Sequence, residues 1–188
     1  MTSSALAHWN IVAQAALDEI EAAHRAVGGH GPGRRYATLQ INHAYAMLLS
    51  SQFQGFCRTL HTEAADFLVA RLADSWARPL LRSSMVAERR LDRGNPTPAN
   101  LTADFSTFGM ELWVDLESTD PLGARRRQAL QELNRWRNAI AHQDWTDIGP
   151  TLQIADVRRW RRACTRLATA MDRCVSQRLR ALVAQISG

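Results

Sequence analysis

From Ile154 to Gln185 the chain reads IADVRRWRRACTRLATAMDRCVSQRLRALVAQ. Val157, Trp160, Cys164, Leu167, Met171 and Cys174 recur in it at alternating steps of three and four. That spacing stacks six side chains on one side of an α-helix and makes a heptad-like apolar seam. Cys164 and Cys174 both lie on the seam, where a free thiol packs as a small hydrophobe. Arg159, Arg166, Arg173 and Arg180 repeat every seven residues and form one stripe off the seam. Such a stripe is either a solvated helix face or a ridge that follows phosphates.

The same period runs upstream. A first helix is predicted over Ser4–Val27, with Trp9, Val12, Ala16, Ile20, Ala23 and Val27 inward, stopped by the glycine-rich stretch 28–33. A long second helix starts near Ala37 and runs to about Ala73. Its apolar face is Leu39, Ala46, Leu49, Phe53, Phe56, Leu60, Ala64, Phe67 and Leu68. Residues 80–91 form a short helix and residues 92–100 a loop. A third main helix is expected over Thr102–Glu117. A fourth begins at Ser118-Thr119-Asp120-Pro121 and ends near His142, with Leu130, Leu133, Trp136 and Ile140 inward. Strand signals are weak. The expectation is one all-α domain over residues 1–188, an antiparallel helical bundle of four to five main helices.

Composition narrows the function classes. The chain has 188 residues and a net charge of +5, and its basic residues are all arginine. Residues 156–180 hold eight arginines against Asp156 and Asp172, so this segment is more basic than the whole chain. A patch of this kind suits a phosphate-bearing partner. Three cysteines without a C-x-x-C pair argue against a disulfide framework or a zinc site. The longest uncharged stretch, Tyr36–Cys57, is too polar to span a membrane, and the N-terminus lacks the pattern of a signal peptide. A cytoplasmic location without membrane contact is expected. The side chains Arg58, His61 and Glu63 read as an exposed polar face, and His43 and Tyr45 as core or dimer packing.

The fourth helix carries the chemistry. Its last part is Leu133-Asn134-Arg135-Trp136-Arg137-Asn138-Ala139-Ile140-Ala141-His142. On a wheel of about 100° per residue, Arg137 falls inside or beside the apolar arc. A guanidinium there needs partners. Arg137 and His142 stand about 140° apart on a straight helix, so they meet only if the helix ends or bends, or if a second subunit completes the site. As a structural alternative, Arg137 satisfies carbonyls of a neighbouring helix and His142 closes the last turn.

The segment R-N-A-I-A-H resembles the motif of HEPN domains, which are helical bundles with an arginine, a polar residue and a histidine on a late helix. Leu48-Leu49-Ser50-Ser51-Gln52-Phe53-Gln54-Gly55-Phe56 resembles the second helix of stand-alone HEPN proteins of the RiboL-PSP-HEPN and MAE-type groups. The chain departs from many relatives at Gln143, where they carry glycine, and at Gln54, where some carry an acid. The resemblance implies an endoribonuclease that needs no metal or other cofactor, uses the substrate's 2′-hydroxyl and leaves 2′,3′-cyclic phosphate ends. It implies a homodimer in which Arg137 of one subunit complements His142 of the other. Arg137 would hold the phosphate, His142 would serve as acid–base group, and Asn138 would bind phosphate or orient the histidine. Arg135, Trp145, Arg159, Arg166 and Arg173 are the candidate RNA contacts, with Trp136 more at home in the core. A toxin or defence effector under an antitoxin or regulatory protein fits such a chain. A non-catalytic module that binds RNA or protein is the alternative.

Overall fold

The computed structural model describes residues 2–28, 34–72, 74 and 76–186. The glycine-rich stop is therefore only partly within the described residues, since 29–33 lie outside them. The elements are α1 (Ser4–His8), α2 (Gln14–Val27), α3 (Arg34–Leu72), α4 (Arg78–Val86), α5 (Pro98–Phe105), α6 (Leu112–Thr119), α7 (Gly123–His142) and α8 (Ile154–Ile186). No strand occurs among the described residues. The molecule is an all-α helical bundle, and no helix among the described residues is long and apolar enough to cross a membrane.

Helices α3 and α8 form the central pair and run parallel. Tyr45 meets Arg161 near one end, and Leu60 and Phe67 approach Asp172 and Leu179 near the other. Each of the other long helices runs against them. Along α7 and α8, Trp136 lies on Trp160, and Glu132 takes a hydrogen bond from Arg159. The α1–α2 helix crosses α3 through Trp9 on Phe53 and Phe56, and Tyr45 donates to Glu21. The seam of α8 is buried as its spacing predicts: Val157, Trp160, Cys164, Leu167, Met171 and Cys174 all lie in the core.

Ser118 and Thr119 close α6 instead of opening α7, which starts at Gly123. Three further local features depart from the sequence reading. First, α1 and α2 join through a π-turn, Trp9–Ala13. A π-turn takes one more residue into the turn and shifts the phase of the helix beyond it. The buried stripe becomes Trp9, Ala13 and Leu17, and Ile11 and Val12 face solvent at 71% and 52% exposure. Second, the helix expected over Thr102–Glu117 is two helices. Gly109 between them has φ +64, and a Cβ there would sit 2.4 Å from the Arg178 guanidinium. That guanidinium donates from Nε to the Phe108 carbonyl at 2.9 Å, so the turn needs glycine both for its backbone and for its clearance. Third, α5 already starts at Pro98, inside the expected loop, because Thr97 accepts a hydrogen bond from the Asn100 backbone N–H.

His61 also departs from expectation. It is 1% exposed, packed against Phe105 and Phe108, and its Nε2 donates to the Asp104 carbonyl at 3.1 Å. Its Nδ1 is buried without a hydrogen-bond partner. Burial pushes its pKa below the ordinary 6.5, the Arg89 charge adds to that, and Asp104 and Asp92 only partly offset it. Above about pH 6.5 both folded and unfolded chains hold a neutral ring, so the full stability is present. As pH falls below that value the unfolded chain takes up the proton first, and stability declines until the folded ring also titrates. Urea unfolding at about pH 8 and about pH 5 is expected to show a lower midpoint in acid. The drop should be smaller in His61→Gln, which keeps a donor for Asp104. An equal drop in both proteins would remove His61 from the account.

Candidate functional site

Helix α7 stops at His142 because Gln143 takes a left-handed conformation, φ 54, while the Asp144 backbone N–H returns to the Ala139 carbonyl at 3.1 Å. This backbone position is the one that favours glycine. The stop leaves His142 exposed on the last turn. Two polar side chains of α3 then hold the connection to α8. Asn42 donates to the Leu152 carbonyl at 2.8 Å, and His43 donates from Nε2 to the Pro150 carbonyl at 3.1 Å. Burial holds the His43 pKa below the ordinary histidine value, with the Pro150 contact as a partial offset. Trp145 stacks on the His43 ring at 5.1 Å.

A second loop reaches α7 from the other side. Gln54 donates to the carbonyls of Leu91 and Gly94 at 2.7 and 2.8 Å, and Asn134 donates to the Pro96 carbonyl at 3.0 Å. The loop so held presents Asn95, whose Nδ2 donates to the Asn138 Oδ1 at 2.6 Å. The amide at position 54 is what the geometry demands, since both partners are acceptors and a carboxylate could not donate. Gln54→Glu is expected to cost about 2 kcal/mol in urea unfolding, for two lost bonds and a charge set against two carbonyls. A cost below about 0.5 kcal/mol would mean that Gln54 does not hold the loop.

Between α7 and the connection after it lies a hollow of about 280 Å³ lined by Arg135, Asn138, Ala139, His142, Asp144 and Asp147. Hydrogen bonds from the Thr146 hydroxyl and backbone N–H, at 2.7 and 3.1 Å, hold the Asp144 carboxyl below its usual range; the His142 charge adds to that. The hollow thus sets an imidazole, an amide, a guanidinium and two carboxylates around one space open to solvent. Among the described residues, no group of three or more His, Cys, Asp or Glu side chains is placed to hold a metal ion.

Of the residues singled out in the sequence, the hollow gathers Arg135, Asn138 and His142. Arg137 does not line it. That side chain is half-buried on the shoulder of α7, with Nη1 3.4 Å from Asn138 Oδ1. One subunit therefore does not bring Arg137 and His142 into the same hollow. Trp145 is half-buried with one ring face on His43, so that face is not open to a base. Trp136 packs at tilted angles on His43, Trp145 and Trp160, in keeping with a core role. Arg159 is exposed but engaged, at 2.7 Å from Glu132 and 3.2 Å from Asp156. Burial pushes the Glu132 carboxyl up, yet the bonds from Arg159 and Trp160 outweigh it and leave it below its usual value. Arg166 and Arg173 are exposed on α8, in a hollow shared with Arg126.

Sequence reasoning missed Asn95, Asp144 and Asp147. Asn95 carries no local signal, because its contact with Asn138 spans 43 positions. Asp144 had one: D-x-T after a helix end suits a side chain that caps its own turn. In comparisons with known proteins no family model, no curated protein and no solved structure matches the chain.

Proposed function

We propose that the chain is an endoribonuclease of the HEPN type, acting as a homodimer at a site built around His142. In this reading the substrate's 2′ oxygen bonds to phosphorus, the P–O5′ bond breaks, the 2′ proton departs and the 5′ oxygen gains one. His142 moves one of these protons, a task suited to imidazole, which as a class exchanges protons near neutral pH. Asn138 and Arg135 face the same space and supply hydrogen bonds to the phosphate oxygens. The carrying observation is the placement of the R-N-A-I-A-H segment. It ends a helix in a polar, solvent-open hollow with His142 at the rim. Arg137 sits outside that hollow, which favours the composite arrangement, in which the partner's motif helix supplies the arginine.

The test is a cleavage assay in excess EDTA on a mixed RNA pool, with product ends analysed. Cyclic phosphate and 5′-hydroxyl ends from wild-type protein support the reading. A folded dimer that binds RNA and never cuts it favours the non-catalytic module, a reading that the arginines of α7 and α8 would also serve. A toxin or defence role under an antitoxin or regulatory protein belongs to this proposal as its biological setting, as does a cytoplasmic location.

A further inference from the structure

We propose that the groove between α7 and α8 is a track for single-stranded RNA that leads to His142. For its end point the proposal rests on the endoribonuclease reading above. The groove encloses about 560 Å³ and is lined by Arg125, Arg126 and Glu132 from α7 and by Arg159, Arg162 and Arg166 from α8. Its cations fall into two sets. Arg159 is engaged by Glu132 and Asp156, and Arg126 by Asp120. Arg125, Arg162 and Arg166 are exposed and form no ion pair with a carboxylate among the described residues. Three unneutralised guanidinium groups from two helices thus face one cleft. Burial lowers the Arg126 pKa from its ordinary value, and the nearby Arg166 charge adds to that. Like charges held together in this way favour an anion between them.

The groove also points somewhere. On α7 the positions 125, 132 and 139 form one heptad line, and 128, 135 and 142 form the line beside it. Arg125, Gln128 and Glu132 line the groove, and Arg135, Ala139 and His142 line the hollow at the helix end. The same face of one helix therefore carries both. From Arg125 to His142 is about 26 Å at 1.5 Å per residue, room for about four to eight nucleotides depending on how far the strand is stretched. A cationic groove that tracks a phosphate backbone is the form of site that single strands take, so the proposal commits to a single strand. Arg173, in the adjoining hollow with Arg126 and Arg166, extends the line away from His142.

The test uses His142→Ala protein, so that binding is read without cutting. Fluorescence anisotropy would follow a labelled single-stranded RNA of about twelve nucleotides. The triple change Arg125→Gln, Arg162→Gln and Arg166→Gln should weaken binding at least about tenfold and flatten the salt slope by about two, at roughly 0.7 per lost phosphate contact on a single strand. Arg162→Gln alone should give about a third of that slope change and guards against a misfolded triple variant. Arg25→Gln, Arg71→Gln and Arg82→Gln together are the control for bulk charge, since those side chains lie on Glu21, the Phe67 carbonyl and Asp66, away from the groove. Equal binding by the groove variants and the control would overturn the track. So would groove-dependent binding of a labelled polyglutamate with no response to RNA, which would mark a groove for an acidic protein segment. The two readings fail separately. Wild-type cleavage in EDTA with unchanged RNA affinity in the triple variant would sink the track alone. Groove-dependent binding without cleavage would sink the active-site reading alone.

Discussion

Mixing two inactive variants, His142→Ala and Arg137→Ala, is expected to restore RNA cleavage. Alone, each should lose about 10²- to 10⁴-fold in rate, the range for removing a general acid–base group or a donor to developing charge. Neither change should move the urea midpoint much, because His142 is exposed and the hydrogen bond of Arg137 among the described residues is a long one, to Asn138. In a two-fold dimer with composite sites, a heterodimer of the variants has one site missing both groups and one site intact. Random exchange makes about half the dimers mixed, so the mixture should recover about a quarter of the wild-type activity. A site contained within one subunit predicts no recovery at any ratio. Arg135 is the side chain to examine in that event, since it lines the His142 hollow in the same subunit. Recovery would establish both the dimer and the pairing of Arg137 with His142 across it.

Trp160→Ala should cost about 3–5 kcal/mol, the range for removing a buried aromatic from a packed core. Trp160 is 1% exposed and lies where α8 meets α7. Its ring rests against Trp136, and its indole N–H donates to Glu132 Oε2 at 3.2 Å. The loss combines the transfer of a large apolar surface to water, a cavity that the facing helices cannot close, and a carboxylate left with one donor fewer. Against a domain stability of about 5–15 kcal/mol, such a change leaves little margin. Trp160→Phe should cost far less, about 1–2 kcal/mol, because it keeps most of the volume and loses the N–H. Urea unfolding of the three proteins checks the order. A cost below about 1 kcal/mol for the alanine variant would show that α7 and α8 are not joined through this ring. The substitution also tests the coupling of core to site, since Trp136 packs on His43 and Trp145, which help hold the loop beside His142.

Much of the architecture was legible in the chain itself. Period-3.6 spacing is a local property, so the long helices over Arg34–Leu72 and Ile154–Ile186 follow from Phe53, Leu60, Trp160 and Met171 without knowledge of any partner. The end of α7 at His142, the exposed seven-residue arginine stripe and the burial of Cys164 and Cys174 follow in the same way. Tertiary structure decided the rest, because it turns on which segments meet. The π-turn at Trp9–Ala13 sets the phase at which that helix presents Trp9 to Phe53 and Phe56. The helix break at Gly109 makes room for Arg178, sixty-nine positions away in the chain. His61 is buried because α5 and the turn after it lay Phe105 and Phe108 against it, a contact that its polar neighbours Arg58 and Glu63 hid. The hollow needs the connection held by Asn42 and His43, and its Asn138 is engaged by Asn95, through hydrogen bonds that span dozens of positions. The groove needs Arg125 and Arg162 from two helices at once. Periodicity determines which face of a helix is apolar; only the pairing of helices determines what that face, and the charges at its edges, come to touch.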